Sequence, residues 1–157
     1  MDLISGGDLR FHLIKNGTFS EEQASIFKTK IEFFAASIVL GLEFLHNKGI
    51  IHRDLKPENL VFDKKGYIRI TDLGVARIWK PENACDTSGT PGYMAPEVMC
   101  RCNHGVAADY YALGIILFEC IFGIRPYIGS NRQEIRDKIL AKQVQIKKKD
   151  IPPGWSP

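Results

Sequence analysis

Residues 52–59 read His52-Arg53-Asp54-Leu55-Lys56-Pro57-Glu58-Asn59, and their setting constrains the fold more than any other feature of the chain. Short apolar runs flank the segment: Gly49-Ile50-Ile51-His52 before it and Asn59-Leu60-Val61-Phe62 at its end. Tyr67-Ile68-Arg69-Ile70 then alternates in polarity, and Asp63-Lys64-Lys65-Gly66 between the two reads as a hairpin turn. A tight hairpin returns the chain to where it started. It therefore brings the loop carrying Asn59 beside the loop carrying Asp72-Leu73-Gly74, thirteen residues further on.

Around this hairpin the periodicity is helical. Asp8, after the Gly6-Gly7 pair, is placed to cap a short helix through Phe11, Leu13 and Ile14. Ser20 and Gln23 match a capping box. The helix that follows carries apolar residues at Phe34, Ile38, Leu42 and Leu45, with Gly49 as its stop signal. Residues 107–122 are nearly all apolar and too long for a strand, so they read as a buried helix; residues 131–142 read as an amphipathic one. From Thr71 to Pro96 the chain is rich in Gly, Pro, Ser, Thr and Asp without periodicity, which predicts a long functional loop. The fold class expected is mainly α, with one small β-hairpin. The tail, including Lys147-Lys148-Lys149, reads as solvated surface and loop.

Composition narrows the function classes. With 157 residues the chain is one domain, and 45% hydrophobic against 25% charged residues is ordinary for a globular protein. A net charge of +3 is too small for a dedicated nucleic-acid surface. Cys85, Cys100, Cys102 and Cys120 include no C-x-x-C pair and read as reduced thiols, which implies an intracellular, cytoplasmic protein. No 18-residue apolar run predicts a membrane span, and the first residues lack the pattern of a signal peptide.

A third segment completes the set: Gly89-Thr90-Pro91-Gly92-Tyr93-Met94-Ala95-Pro96-Glu97. The three segments, in this order and spacing, resemble the signatures of eukaryotic serine/threonine protein kinases, H-R-D-L-x-x-x-N, D-F-G and A-P-E. The physical logic agrees. Phosphoryl transfer from ATP needs positioning and charge neutralisation more than covalent chemistry. Mg2+ takes hard oxygen ligands, which Asn59 and Asp72 offer. Asp54 can accept or orient the proton of a substrate hydroxyl, and Lys56, two residues away, can neutralise the transferred phosphoryl group.

The resemblance implies further roles. Thr90 would bond Asp54 and Lys56. Asp8, Glu58, Val61, Thr71 and Asp72 would line the nucleotide cleft: Val61 under the adenine, Asp8 at the ribose, Thr71 supporting Asp72. Asp8 and Glu58 would also face arginines of a basic peptide substrate. Asp109 would hold the backbone of the 52–54 loop, and Glu97 would pair with an arginine of a later helix. Arg53 would order the 71–96 loop by pairing with a negative group. Asp86 stands where the most similar kinases carry a phosphorylated threonine, and Thr87 or Ser88 is the alternative acceptor. The segments Ser5-Gly6-Gly7-Asp8-Leu9, 19–23 and 92–97 are similar to the cyclic-nucleotide-dependent group, with the calcium/calmodulin-dependent group as neighbour.

The chain departs from the family pattern in several ways. It has no G-x-G-x-x-G loop, no V-A-I-K lysine and no arginine for Glu97, so it is expected to span the family's C-terminal lobe from the hinge to about its seventh helix. The 157 residues alone are then expected to hold ATP only at about millimolar strength and to be inactive. Leu73 replaces the phenylalanine of D-F-G, Tyr111 stands where tryptophan is commoner, and the helix around 24–31 looks longer than in relatives. Two competing readings are a kinase-derived binding or scaffold module without catalysis and a small-molecule phosphotransferase. The full set Asp54, Lys56, Asn59 and Asp72 argues against the first, and Thr90 with the A-P-E segment argues against the second.

Overall fold

A computed structural model of the chain describes residues 4–16, 21–81 and 86–151. Five α-helices surround two small antiparallel sheets among the described residues. Helix α1 spans Leu9–Asn16 and α2 spans Glu21–Asn47. Strands β1 (Ile50–Ile51), β2 (Leu60–Phe62), β3 (Ile68–Ile70) and β4 (Arg77–Ile78) follow. Then come α3 (Pro96–Met99), α4 (Ala107–Phe122) and α5 (Arg132–Ala141).

The helix ends follow local chemistry. The Asp8 carboxylate accepts the Phe11 amide at 2.7 Å and caps α1, and the Asn131 side chain accepts the Glu134 amide at 2.9 Å and caps α5. Such caps satisfy amides that have no partner within the helix. Helix α2 ends where Gly49, at φ 69°, donates its amide to the His46 carbonyl. Residues 24–31 lie within α2, so the apparent lengthening there is continuous helix. The Ser20 cap, Cys85 and the tail beyond 151 lie outside the described residues.

The predicted hairpin is present. Strands β2 and β3 pair Leu60 with Ile70, Val61 with Arg69 and Phe62 with Ile68. Asp63 closes the turn by accepting the amides of Lys65 and Tyr67 and the guanidinium of Arg69. The inward faces of this hairpin (Leu60, Phe62, Ile68) meet Ile38 and Leu42 of α2 and Leu113 and Ile116 of α4 in the main core. A smaller core joins Met94, Val98 and Met99 to Ala108 and Ile135. The expectation of a structureless 71–96 segment needs correction: Arg77–Ile78 forms β4 and pairs with Ile50–Ile51. Two residues are too short a run for alternation to register, and their pairing partner lies some distance back in the chain.

The segment before α1 is fastened to the hairpin. Gly6 donates its amide to the Phe62 carbonyl at 3.0 Å, and Phe62 returns one to the Gly7 carbonyl at 2.9 Å. A Cβ on Gly6 would collide with that same carbonyl and with the Phe62 side chain. Gly6→Ala is therefore expected to destabilise the fold by about 1–3 kcal/mol, the usual range for overpacking against fixed atoms. A urea midpoint that does not move would show that the segment yields freely.

Candidate active site

The 52–59 loop is held from below by one buried carboxylate. Asp109, 1% exposed in the first turn of α4, accepts the His52 amide at 2.9 Å and the Arg53 amide at 2.8 Å. His46, at the end of α2, adds a third contact at 2.8 Å. His52, itself buried, reaches the Thr71 carbonyl at 2.9 Å. The loop, α2, α4 and the start of the 71–96 segment are thus tied through two side chains. Arg53 has φ 70°, in the left-handed region that few non-glycine residues occupy. The paired amides flanking it hold that conformation.

Above this anchor four of the sequence-predicted residues converge. The Lys56 ammonium donates to Asp54 Oδ2 at 2.7 Å and to Thr90 Oγ1 at 3.2 Å. The Thr90 hydroxyl donates to Asp54 Oδ1 at 2.7 Å. The Asn59 amide nitrogen donates to the Asp54 carbonyl at 2.9 Å, which sets the orientation of its side chain. Asp54 is therefore a partly buried carboxylate with both oxygens engaged and one cation in contact.

Asp72 joins the site through its neighbour. Thr71 gives both its amide, at 2.9 Å, and its hydroxyl, at 3.1 Å, to the Asn59 carbonyl. The next residue, Asp72, has φ 61°, and among the described residues its carboxylate accepts only the Gly74 amide, at 3.1 Å. The Asp72 carboxylate and the Asn59 amide oxygen thus keep free lone pairs on adjacent loops. That oxygen-only pair fits Mg2+, which binds through one or two carboxylates together with substrate phosphates. No cluster of three or more His, Cys, Asp or Glu side chains occurs among the described residues, so nothing resembles a closed all-protein metal cage.

The other expected positions divide. Asp8 and Val61 are neighbours through an isolated antiparallel bridge, so the two residues expected at the nucleoside stand side by side. Glu58 does not stand open toward a substrate: its carboxylate accepts the Arg10 guanidinium at 2.9 Å. Leu73 is 53% exposed rather than packed away. The hydroxyl of Tyr111 is buried without a partner among the described residues, and burial pushes its pKa up to about 12. Glu97 has no ion pair among the described residues. Cys100, Cys102 and Cys120 are free thiols, and burial pushes Cys120 up to about 12.

Asp86 is the most heavily engaged carboxylate of the 71–96 segment. It accepts Arg53 Nη1 at 2.7 Å and Arg77 Nη2 at 2.9 Å, and both the amide and the hydroxyl of Ser88. Arg53 also donates to the Val75 carbonyl. The hydrogen bond from Arg53, then that from Ser88, hold the Asp86 carboxyl well below the usual carboxylate range. Arg77, His46, Arg10, Tyr93 and Glu119 were not singled out from sequence. Arg77, His46 and Arg10 each bind a predicted residue (Asp86, Asp109 and Glu58), and Tyr93 and Glu119 bind Arg10 and each other, through contacts that cross the fold.

This geometry accompanies a clear kinship. A family model described as the protein kinase domain matches residues 1–156. The chain is 40% identical over 148 residues to "Ribosomal protein S6 kinase beta" of Caenorhabditis elegans, covering 93% of this chain and 26% of that protein. It is 43% identical over 144 residues to "cAMP-dependent protein kinase catalytic subunit" of Dictyostelium discoideum, covering 91% and 21%. It is 39% identical over 137 residues to "Putative protein kinase C delta type homolog" of Drosophila melanogaster, covering 86% and 19%. The chain belongs to the protein kinase domain family, on the eukaryotic serine/threonine side. It spans between 19% and 26% of the length of these three relatives. No helix among the described residues is long and apolar enough to cross a membrane.

Proposed function

We propose that this chain carries the phosphoryl-transfer machinery of a serine/threonine protein kinase, which moves the γ-phosphate of ATP to serine or threonine hydroxyls of protein substrates. The observation that carries this reading is the Asp54–Lys56–Thr90–Asn59 cluster beside Asp72. Asp54 would receive or orient the proton of the attacking hydroxyl. Lys56, already beside Asp54, would face the transferred phosphoryl group and offset its charge. Thr90 holds Asp54 in place and links it to the 89–97 segment, on which a peptide would lie. Asn59 and Asp72 would hold Mg2+, which supplies charge neutralisation for the phosphates. A pure scaffold has no need of these oxygen donors. The test, in a full-length protein that contains these residues, is transfer of labelled phosphate from ATP to serine and threonine peptides in the presence of Mg2+, with an Asp54 variant as control. Equal incorporation by both would overturn the reading.

The role of Asp86 follows from the same geometry. We propose that its carboxylate does permanently what a loop phosphate does elsewhere, holding Arg53 and Arg77 without phosphorylation. A carboxylate offers less charge and fewer acceptor oxygens than a phosphate. It is nevertheless largely shielded here, against an Arg53 side chain 6% exposed, so the pair should exceed the weak worth of an exposed one. Asp86→Ala is expected to lower activity about tenfold, equivalent to about 1.4 kcal/mol. Phosphatase treatment of the unmutated protein, and Thr87→Ala, should leave activity near normal. Loss of activity on phosphatase treatment, abolished as well by Thr87→Ala, would assign the control to a phosphate instead. The pH dependence has a definite sign. A depressed carboxylate stabilises above its unfolded pKa of about 3.9 and loses that contribution as pH falls through the folded value. The Arg53–Asp86 pair should therefore be intact throughout neutral and mildly acidic pH and fail only below about pH 4.

A further inference from the structure

Arg10, the second residue of α1, reaches across the fold. Its Nη1 and Nη2 donate to the two carboxylate oxygens of Glu119, at 2.8 and 3.2 Å. Its Nε donates to Glu58 at 2.9 Å, and Nη2 also meets the Tyr93 hydroxyl. The Tyr93 hydroxyl donates in turn to Glu119 at 2.6 Å. A planar guanidinium matched to two carboxylates in this way is bidentate recognition of the strong kind. Burial alone would lower the pKa of Arg10, but the bonds to Glu119 and Glu58 outweigh it and raise it, so the charge is permanent.

This pocket adjoins the proposed chemistry. Glu58 lies in the 3-10 turn Pro57–Asn59, within the same loop as Asp54. The Tyr93 amide donates to the Thr90 carbonyl, and the Thr90 hydroxyl bonds Asp54. A recess between them is lined by Asp54, Thr90 and Tyr93. A peptide presenting its hydroxyl to Asp54 would pass within a few residues of the pocket. Left empty, two carboxylates at that place would select a cationic side chain by complementarity. They are not empty. A second guanidinium, Arg125, lies over the Tyr93 ring at 5.5 Å, in space that a side chain on Gly92 would take. Arg10 thus pairs with both glutamates, and Arg125 adds a second cation over the Tyr93 ring.

We propose that Arg10 is a specificity-determining residue, an internal guanidinium that fills the Glu58–Glu119–Tyr93 pocket and cancels selection for a basic substrate side chain there. The inference rests on the kinase reading for the meaning of the pocket, but its test reads binding rather than transfer. It revises the basic-peptide preference expected from Asp8 and Glu58, since Glu58 is already ion-paired and Asp8 caps α1.

The test compares two fluorescent serine peptides identical except for arginine or its neutral isostere citrulline, scanned over the positions flanking the serine. Anisotropy titrations use the unmutated chain, Arg10→Ala, Arg10→Gln and Glu58→Gln. The unmutated chain should bind the two peptides within about twofold at every position, and Arg10→Ala should prefer arginine about tenfold at one of them. Millimolar methylguanidinium should abolish that preference and raise the melting temperature of Arg10→Ala alone. Arg10→Gln, which keeps a polar side chain of similar length but removes the charge, should show the same preference for arginine, which keeps the test valid if Arg10→Ala fails to fold. The proposal is overturned if the unmutated chain already prefers arginine and Glu58→Gln removes that preference. It is equally overturned if folded Arg10→Ala shows no preference, or if no peptide binds either form. Failure of phosphate transfer with the predicted binding ratios intact would sink the kinase reading and leave the pocket's chemistry standing.

Discussion

In a full-length protein that contains these residues, Asp54→Asn is expected to lower phosphoryl transfer by about 10²- to 10⁴-fold, the usual contribution of a positioned general base. The substitution keeps size and most of the packing. The asparagine oxygen can still accept from Thr90 or Lys56, which bond the two carboxylate oxygens at 2.7 Å. The fold should survive, and the melting temperature should change little. What goes is the negative charge opposite the hydroxyl and its proton affinity. The loss should therefore fall on kcat, with KM for ATP nearly unchanged. Asp72→Ala should be as severe for a different reason: it deletes one of the two oxygen donors that fit Mg2+, so the apparent Mg2+ requirement should rise along with the loss in rate. Near-normal turnover in either variant would remove that residue from the mechanism. A loss confined to KM in Asp54→Asn would assign it to binding rather than to chemistry.

The second large effect concerns stability. Asp109→Ala is expected to destabilise the fold by about 3–5 kcal/mol, the range for removing one partner from a buried charged network. Its carboxylate is 1% exposed and accepts two backbone amides and His46. Alanine would leave the His52 and Arg53 amides in a dry interior without acceptors, at about 1–3 kcal/mol for each unsatisfied group. Asp109→Asn should be milder but still costly. One of its positions becomes a donor and points at an amide that also donates. The measurements are denaturant midpoints together with hydrogen exchange at His52 and Arg53. Faster exchange confined to that loop, with an unchanged midpoint, would mean that Asp109 orders the loop without supporting the fold.

The two arginines that grip acidic groups show how differently such contacts could be foreseen. Arg53 precedes Asp54 in a recognisable segment, so its partner could be sought at a definite place in the later loop, and Asp86 is there at 2.7 Å. Arg10 lies in no motif, and its main partner is 109 residues away. Glu58 was read as facing substrate because nothing local to it competes. His46 carries no signal in the sequence beyond its place near the end of α2, although it contacts Asp109 at 2.8 Å. The β1–β4 pairing escaped for a related reason: a ladder of two residue pairs leaves no periodic trace in either strand.

What the amino-acid order determined by itself is what depends on near neighbours. Helix periodicity, the Asp8 and Asn131 caps and the Asp63–Gly66 turn are set by atoms a few residues apart. The hairpin they frame brings Asn59 and Asp72 onto adjacent loops, and the separation of thirteen residues is short enough for its closure to be read directly. Tertiary structure decided which charges remain available once long-range partners arrive. Among the described residues Asn59 and Asp72 keep side-chain oxygens open on adjacent loops and Asp54 is held by Lys56 and Thr90, whereas Glu58 is taken by Arg10 and Asp86 by Arg53 and Arg77. An ion pair forms between whatever side chains packing brings within a few ångströms, and its strength depends on burial and distance rather than on separation along the chain. The composition of a site can therefore be legible in sequence while its charge balance is settled only by the fold.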